Sequence, residues 1–381
     1  MAIRAEPGQL ARLFDAIQAD GYALVGPTFR DGAVVLDRLA GVGDLPRGVV
    51  DEQKKGHYRA VRTGSRLLFG FHAPAQTFRR FLQPPGQTIF RATRNSDGSM
   101  NMCPDPGALP RLALIGVKAC DLAAITVQDV VSGYRPNPAR TLQPAVPADP
   151  HYRAIREHLL VVATECGSAG KTCFCASMQT GPGIEQNFDL RITEFDDGEH
   201  WLLIDAGTGR GHRLLQQLDG RAATQADHDA RRRLLESTRS SMGRQLDTDG
   251  LAEALAQRLD SPRWQAIGER CLSCANCTLS CPTCFCTDVA DSTDITGQEA
   301  VRTQTWDSCF NRNFSRLHGG HIRKTTASRY RQWLTHKLST WHGQFGSSGC
   351  TGCGRCITWC PVGIDITEEA VAIVHGDGAA L

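Results

Sequence analysis

The sequence predicts an α/β (α+β) amino-terminal domain followed by a mainly helical second domain. Three observations lead there. Short apolar runs that read as strands alternate with amphipathic helices in the first half of the chain. Beyond Gly207 the composition turns to Leu, Ala, Arg and Glu at helical spacing. Inside that helical part, eight cysteines form two copies of one pattern, Cys271-x2-Cys274-x2-Cys277-x3-Cys281-Pro282 and Cys350-x2-Cys353-x2-Cys356-x3-Cys360-Pro361.

The elements follow in order. Leu10, Leu13, Phe14 and Ile17 recur at helical spacing, so residues 8–19 are predicted as an amphipathic helix. Tyr22-Ala-Leu-Val25, Ala33-Val-Val-Leu36 and Arg66-Leu-Leu-Phe-Gly-Phe71 are predicted as strands, the first two divided by Gly, Pro and Asp turn signals. Leu112-Ala-Leu-Ile-Gly-Val117 and Leu159-Leu-Val-Val-Ala163 read as buried strands of an α/β sheet, the first followed by a helix over 121–130. Residues 227–243 and 249–269 read as helices, as does 328–342, where Tyr330, Trp333, Leu334 and Leu338 share a face. The expected division is 1–221 for the α/β domain and 222–381 for the helical one.

The two cysteine runs match the bacterial ferredoxin spacing for [4Fe-4S] clusters. Three closely spaced thiolates wrap a cubane, and the fourth, followed by proline, reaches towards the partner cluster. The second domain is therefore expected to be ferredoxin-type and to hold two clusters, close enough to pass electrons. Structural zinc uses paired C-x2-C knuckles with four ligands per ion, and has no need of the outlying Cys-Pro. Disulfides are the other alternative. The chain opens without the apolar region of a signal peptide, and a cytosolic chain keeps its thiols reduced. The 68 residues between the runs are too many for a small compact ferredoxin, so the cluster loops are expected among helices.

Four further thiols lie in the α/β part. Cys120 and Cys166 sit just past the carboxyl ends of the two buried strands, where ligand sites of open α/β sheets gather. Cys173 and Cys175 follow on a loop in which Gly167 and Gly170 let the backbone close in. Together they are predicted to hold a third [4Fe-4S] cluster. The alternatives are a zinc site, or Cys120 as a small buried hydrophobe. Thr172-Cys-Phe-Cys175 recurs as Thr283-Cys-Phe-Cys286 directly after the first run. The roles of Cys284, Cys286 and Cys309 stay open. Cys103 stands alone and is expected to be structural.

Other signals are weak. A P-loop would need glycine where Glu165 stands, and Gly207-Thr-Gly209-Arg-Gly211-His fails the dinucleotide pattern. No flavin or nicotinamide motif is present, so neither cofactor is expected on this chain. His318, His321, His336 and His342 are expected at the surface or at helix ends. Forty-two Lys and Arg against forty Asp and Glu give no basis for nucleic-acid binding. No stretch reaches the about 18 apolar residues of a membrane span. A cytoplasmic protein is expected, and low-complexity sequence is confined to a short Gly-rich tail around Gly376 and Gly378.

Ala119-Cys120-Asp121-Leu122, the 166–178 segment, the runs with their flanks to residues 289 and 366, Trp306-Asp-Ser-Cys309 and Gly319-Gly-His321 resemble one family. It is the iron–sulfur beta subunit of soluble NAD(P)-linked [NiFe] sulfhydrogenases; the iron–sulfur A-subunit of anaerobic sulfite reductase is similar. The resemblance spans roughly 110–370. It implies an electron-transfer subunit that does no bond chemistry itself. Its implied partners are two, one binding flavin and NAD(P)H, the other catalytic with a [NiFe] or, in the alternative, a sirohaem site. In the interleaved arrangement of two-cluster ferredoxins, Cys271, Cys274, Cys277 and Cys360 hold one cluster, and Cys350, Cys353, Cys356 and Cys281 the other. Leu272, Leu279, Ile357, Trp359, Val362 and Ile364 are expected to limit water around them. Two other classes stay open: a reductase with a substrate site in the α/β part, and a structural component whose clusters only hold helices together.

Overall fold

Residues 2–104, 109–140 and 147–376 are described in a computed structural model. Gly378, in the Gly-rich tail, lies outside them. The first part of the chain runs β1 (Ala2–Ala5), α1 (Gln9–Ala19), β2 (Ala23–Arg30), β3 (Ala33–Arg38), β4 (Val49–Lys54), β5 (His57–Arg62), α2 (Arg79–Leu82), β6 (Gly86–Arg94) and β7 (Met100–Pro104). Then come β8 (Leu112–Val117), α3 (Ala119–Val131), α4 (Pro150–Glu157), β9 (Leu160–Thr164), β10 (Leu190–Asp196), β11 (His200–Ala206), α5 (Gly209–Leu215) and β12 (Arg221–Ala222).

Eight of these strands form one mixed sheet in the order β12-β1-β11-β10-β9-β8-β2-β3. Its centre, β2-β8-β9-β10, is parallel. The side chains of β8 and β9 alternate between two apolar cores. Ala113, Ile115, Leu160 and Val162 enter the core under α1, and Leu112, Leu114, Val161 and Ala163 the core under α3 and α4. Burial on both faces explains why these strands read as unbroken apolar runs. In α1, Leu10, Leu13, Phe14 and Ile17 are at most 1% exposed. Each such burial contributes about 1.5–3 kcal/mol before entropy is counted.

One irregularity in β8 sets up the site. Gly116 has φ +74° and interrupts the β8–β9 register between Ile115 and Val117. A Cβ there would meet the Phe69 ring at 3.0 Å. The bulge sends Val117 into the α3 core. Lys118 then donates to the Phe69 carbonyl at 2.8 Å, and α3 begins at Ala119 with Cys120 in its first turn.

The 66–71 segment is not a strand. Its backbone N–H groups are used elsewhere: Leu68 and Phe69 donate to the two carboxylate oxygens of Glu194, at 2.7 and 2.9 Å. Leu68, Phe69 and Phe71 are buried all the same. Their apolar run reflects core packing of an irregular segment rather than a ladder.

The second part carries α6 (Gln225–Ser240), α7 (Leu251–Ala256), α8 (Arg263–Arg270), α9 (Asn276–Leu279), β13 (Thr287–Thr293), β14 (Glu299–Trp306), α10 (Thr326–Thr335), α11 (Trp341–Phe345), α12 (Arg355–Thr358) and α13 (Ile366–His375). The expected helix over 249–269 is two, α7 and α8, because Pro262 forces a new start. The predicted 328–342 helix extends α10 through a π turn at His336–Thr340. The part is not helical alone: β13 and β14 join β6 and β7 in a sheet of order β13-β14-β6-β7. This arm combines a hairpin from each part of the chain, and β7 and most of β13 are exposed.

Candidate iron–sulfur centres

The two ferredoxin runs fold as near copies. In the first, α8 ends at Arg270, the chain turns through Ser273 (φ +53°) and Ala275 (φ +65°), and α9 carries Cys277. In the second, Gly352 (φ +63°) and Gly354 (φ +75°) occupy the same places and α12 carries Cys356. The matching amides donate to the first sulfur of each run, Ser273 N to Cys271 Sγ and Gly352 N to Cys350 Sγ, both at 3.4 Å. Ile364 N donates to Cys360 Sγ at 3.3 Å. Such N–H···S bonds stabilise thiolate charge and tune a bound cluster.

The copies differ where they touch the rest of the chain. A Cβ on Gly352 would lie 2.6 Å from the Cys175 backbone, and one on Gly354 2.4 Å from the Thr172 carbonyl. The second run thus lies on the loop that carries Cys173 and Cys175, and both left-handed positions must be glycine. Phe174 N donates to Gly352 O at 2.9 Å across the same contact. The first run faces open space, and there Ser and Ala sit in the left-handed conformation.

One cavity brings thiols of the two runs together. Cys271, Cys274 and Cys277 line it with Cys356 and Cys360 from the far run, under Phe310, Tyr330, Trp333 and Ile364. The Tyr330 hydroxyl and the Trp333 indole N–H are buried there with no hydrogen-bond partner. Buried donors left unpaired are costly, and the sulfurs of a bound cluster would accept them. The thiols, apolar walls and orphaned donors fit a [4Fe-4S] cluster.

Cys281 stands with the second run. Cys350, Cys353 and Cys281 are the nearest thiol charges to Cys356, followed by Cys277 of the first set. Burial pushes the Cys350 thiol up to about 12 and lifts those of Cys277 and Cys356 well above their usual value. Cys281 goes the other way: the Cys284 thiol hydrogen-bonded to it, and then the ammonium of Lys337, hold it well below the usual range. Lys337 is 3% exposed and donates to Thr283 Oγ1 at 2.7 Å and Gly349 O at 3.1 Å, both neutral acceptors. Among the described residues no three His, Cys, Asp or Glu side chains close on a single metal ion. The thiols of the first set ring a cavity instead, a spacing that suits a cubane.

The four thiols of the α/β part also gather. Cys120 and Cys175 pack with Cys353, Ala73 and Met242 in one small buried group. Cys166 and Cys173 are the nearest thiol charges to Cys175, and with burial they raise its pKa. Burial pushes the Cys173 thiol up to about 12. Gly170 permits the approach, since a Cβ there would lie 3.2 Å from Cys173 Sγ; Gly167 has room to spare. Glu165 anchors the loop: its carboxylate accepts from Arg231 Nε at 2.7 Å, Ile184 N at 2.8 Å and Thr193 Oγ1 at 2.7 Å.

Some expectations need correction. Of the six apolar residues meant to exclude water, Ile357 and Ile364 are buried, but Leu272 is 64%, Leu279 43% and Val362 38% exposed. Leu272 and Val362 form a rim at the first cavity, not a lid, and Leu279 lines a neighbouring cleft with Trp359. Cys103 is exposed on β7, without the packing role expected of it. His318 and His342 are exposed, while His336 packs on Trp341 and bonds Gln344. Sequence reading missed Arg79, Lys337, Asp121 and Arg355 as site residues. Arg355 left a signal, a charge inside a cysteine run, and so did Asp121, a carboxylate directly after Cys120.

A 4Fe-4S dicluster domain model matches residues 270–364. Over 336 residues the chain is 31% identical to sulfhydrogenase 2 subunit beta of Pyrococcus furiosus, covering 86% of this chain and 92% of that protein. The chain belongs to the sulfhydrogenase beta-subunit family. No solved structure matches it. With its 4Fe-4S dicluster domain, it is an electron-transfer subunit. No helix among the described residues is long and apolar enough to cross a membrane.

Proposed function

We propose that this chain relays electrons in a cytoplasmic complex between two partners, one binding flavin and NAD(P)H and one catalytic, of the [NiFe] hydrogenase type. The observation that carries the reading is the cavity that Cys360 shares with Cys271, Cys274 and Cys277. Bound to such thiols, [4Fe-4S] clusters supply one-electron carriers at tunable potentials. Cys271, Cys274, Cys277 and Cys360 would hold the first, and Cys281, Cys350, Cys353 and Cys356 the second. Cys120, Cys166, Cys173 and Cys175 would hold a third.

The supporting geometry is a continuous array of thiols. Cys277 and Cys281 are electrostatic neighbours, and so are Cys353 and Cys120. The three proposed sites would therefore adjoin one another, from the ferredoxin part (222–381) into the α/β part (1–221). The exposed apolar rim of Leu272 and Val362, with Leu279 in the neighbouring cleft, is the natural contact for a partner at the first site. Cys166 lines a surface cleft at the other end, with Phe71, Glu194 and Arg233. The chain itself would bind no flavin or nicotinamide and turn over no substrate. No observation favours a sirohaem partner over this reading.

The test uses the complex. Anaerobically purified protein should carry at least about twelve irons per copy of this chain, enough for three clusters. Cys173→Ala should remove about four of them and leave both ferredoxin EPR signals. NAD(P)H should reduce the signals in the complex but not in the isolated chain. Signals that NAD(P)H reduces in the isolated chain, or that stay oxidised in an active complex, would defeat the relay.

A further inference from the structure

Four thiols remain outside those sites; Cys103 is exposed on β7, and the fold brings the other three together. Cys284 and Cys286 follow the first ferredoxin run, and Cys309 follows β14. The β13–β14 hairpin closes with Thr287 opposite Trp306, and Asp307 N then donates to the Cys286 carbonyl at 2.9 Å. Past that last pair the Cys286 and Cys309 thiols hydrogen-bond each other. Cys284, 7% exposed, has Cys281 as its strongest electrostatic partner and Cys309 as a weaker one.

A buried cation faces this group with no carboxylate to neutralise it. Arg79 is 6% exposed and stacks on Trp306, with its guanidinium 3.6 Å from the ring centre. Its Nη1 donates to the Cys284 carbonyl, and its Nε is buried without any partner. Among the described residues the charges nearest Arg79 are the Cys284, Cys281 and Cys286 thiols. An isolated buried guanidinium is costly, whereas one set beside an anionic centre is not.

The surroundings repeat those of Cys173 and Cys175. Two Thr-Cys-Phe-Cys loops clasp the second ferredoxin run from either side. Thr172 Oγ1 reaches Thr358 Oγ1 at 2.8 Å, and Thr283 Oγ1 donates to Gly349 O at 2.6 Å. Phe174 is buried, and Phe285 is held edge-on by Trp341 and Phe345. The chain uses the same local device twice beside the same run.

We propose that Cys284, Cys286 and Cys309 bind a further iron–sulfur centre at the base of the β13–β14 hairpin, with Arg79 as its counter-cation. Three protein thiolates leave one corner of a cubane without a cysteine, open to water or another small ligand. The centre would adjoin the Cys281 site, and Cys277 of the first set is also among the charges nearest Cys309. It would thus sit beside the relay rather than at its end. The assignment takes the three sites of the relay as already filled, and its test separates the two claims.

Iron and acid-labile sulfide are counted in the anaerobically purified full complex, wild type and variants, with Mössbauer spectra of protein grown on iron-57. The wild type should hold about sixteen irons per copy of this chain beyond those of its partner subunits. The Cys286→Ser/Cys309→Ser pair should lose about four, keep both ferredoxin EPR signals, and still lose about four more on adding Cys173→Ala. Arg79→Gln, which leaves every thiol in place, should shift the reduction of this centre while the other signals stay fixed. If Cys173→Ala alone changes nothing but the serine pair still loses iron, the third relay site fails and this one stands. A serine pair with full iron, a zinc ion at these thiols, or a Cys286–Cys309 disulfide in the anaerobic wild type would each overturn the proposal.

Discussion

Arg355, between Cys353 and Cys356, donates through Nη2 to Asp121 Oδ2 at 2.7 Å, with both side chains buried. Asp121 directly follows Cys120 in α3. One ion pair thus joins the second ferredoxin run to the strand end of the α/β sheet. Arg355 also donates to the Pro74 carbonyl at 2.7 Å.

Breaking this pair should cost more than removing it. Arg355→Met leaves a buried carboxylate uncompensated and should destabilise the protein by about 3–5 kcal/mol. Arg355→Met/Asp121→Leu should recover most of that. Denaturant unfolding of the cluster-loaded protein measures both. A double variant no more stable than the single one would show that the pair is not the relevant link.

Ligand crossing gives an asymmetric result. Cys360→Ser should damage the site of Cys271, Cys274 and Cys277, although it lies in the other run. Cys281→Ser should damage the site of Cys350, Cys353 and Cys356. EPR of the reduced variants reads this once Cys274→Ser and Cys353→Ser have assigned the signals. If Cys281→Ser matches Cys274→Ser, each run closes its own cluster and the crossing is wrong.

Lys337 places a positive charge beside Cys281 and Cys350, where burial disfavours it but the thiolate charges outweigh burial and raise its pKa. An added electron is more stable near a cation. Lys337→Met should therefore lower the reduction potential of the second site, by on the order of 50 mV. Redox titration followed by EPR tests it; an unchanged or raised potential contradicts the assignment.

The left-handed positions of the two runs should respond in opposite ways. Gly354→Ala drives a Cβ into the Thr172 carbonyl and should disturb the Cys173–Cys175 loop, with loss of the third site before the other two. Ala275→Gly relieves a left-handed alanine and should stabilise the protein by up to about 1 kcal/mol. Thermal unfolding and iron content of the two variants provide the comparison.

What the sequence revealed depended on how local the determinant was. The cluster loops are set by spacing within a dozen residues, and the strands ending near Cys120 and Cys166 by continuous apolar runs. Both were legible. The arm was not: β13 and β14 are rich in Thr, Asp and Ser, lack an apolar face, and pair with β6 from far back in the chain. The 66–71 segment is apolar because it is buried, yet its amides go to Glu194, which no pattern within the segment encodes. Arg79 and Lys337 were invisible for the same reason. Their meaning lies in thiols that are distant in sequence.

The proposed crossing of Cys360 and Cys281 would also set a timetable. The first site would lack its fourth thiol until synthesis has passed Cys360, and Cys281 would wait for Cys350, Cys353 and Cys356. Of the waiting thiols, buried Cys277 resists ionisation and would react slowly with oxidants, whereas Cys281 is held well below the usual range. The chain can thus fold its sheet first and receive both centres in one late step, at the ends of a structure already built to hold them.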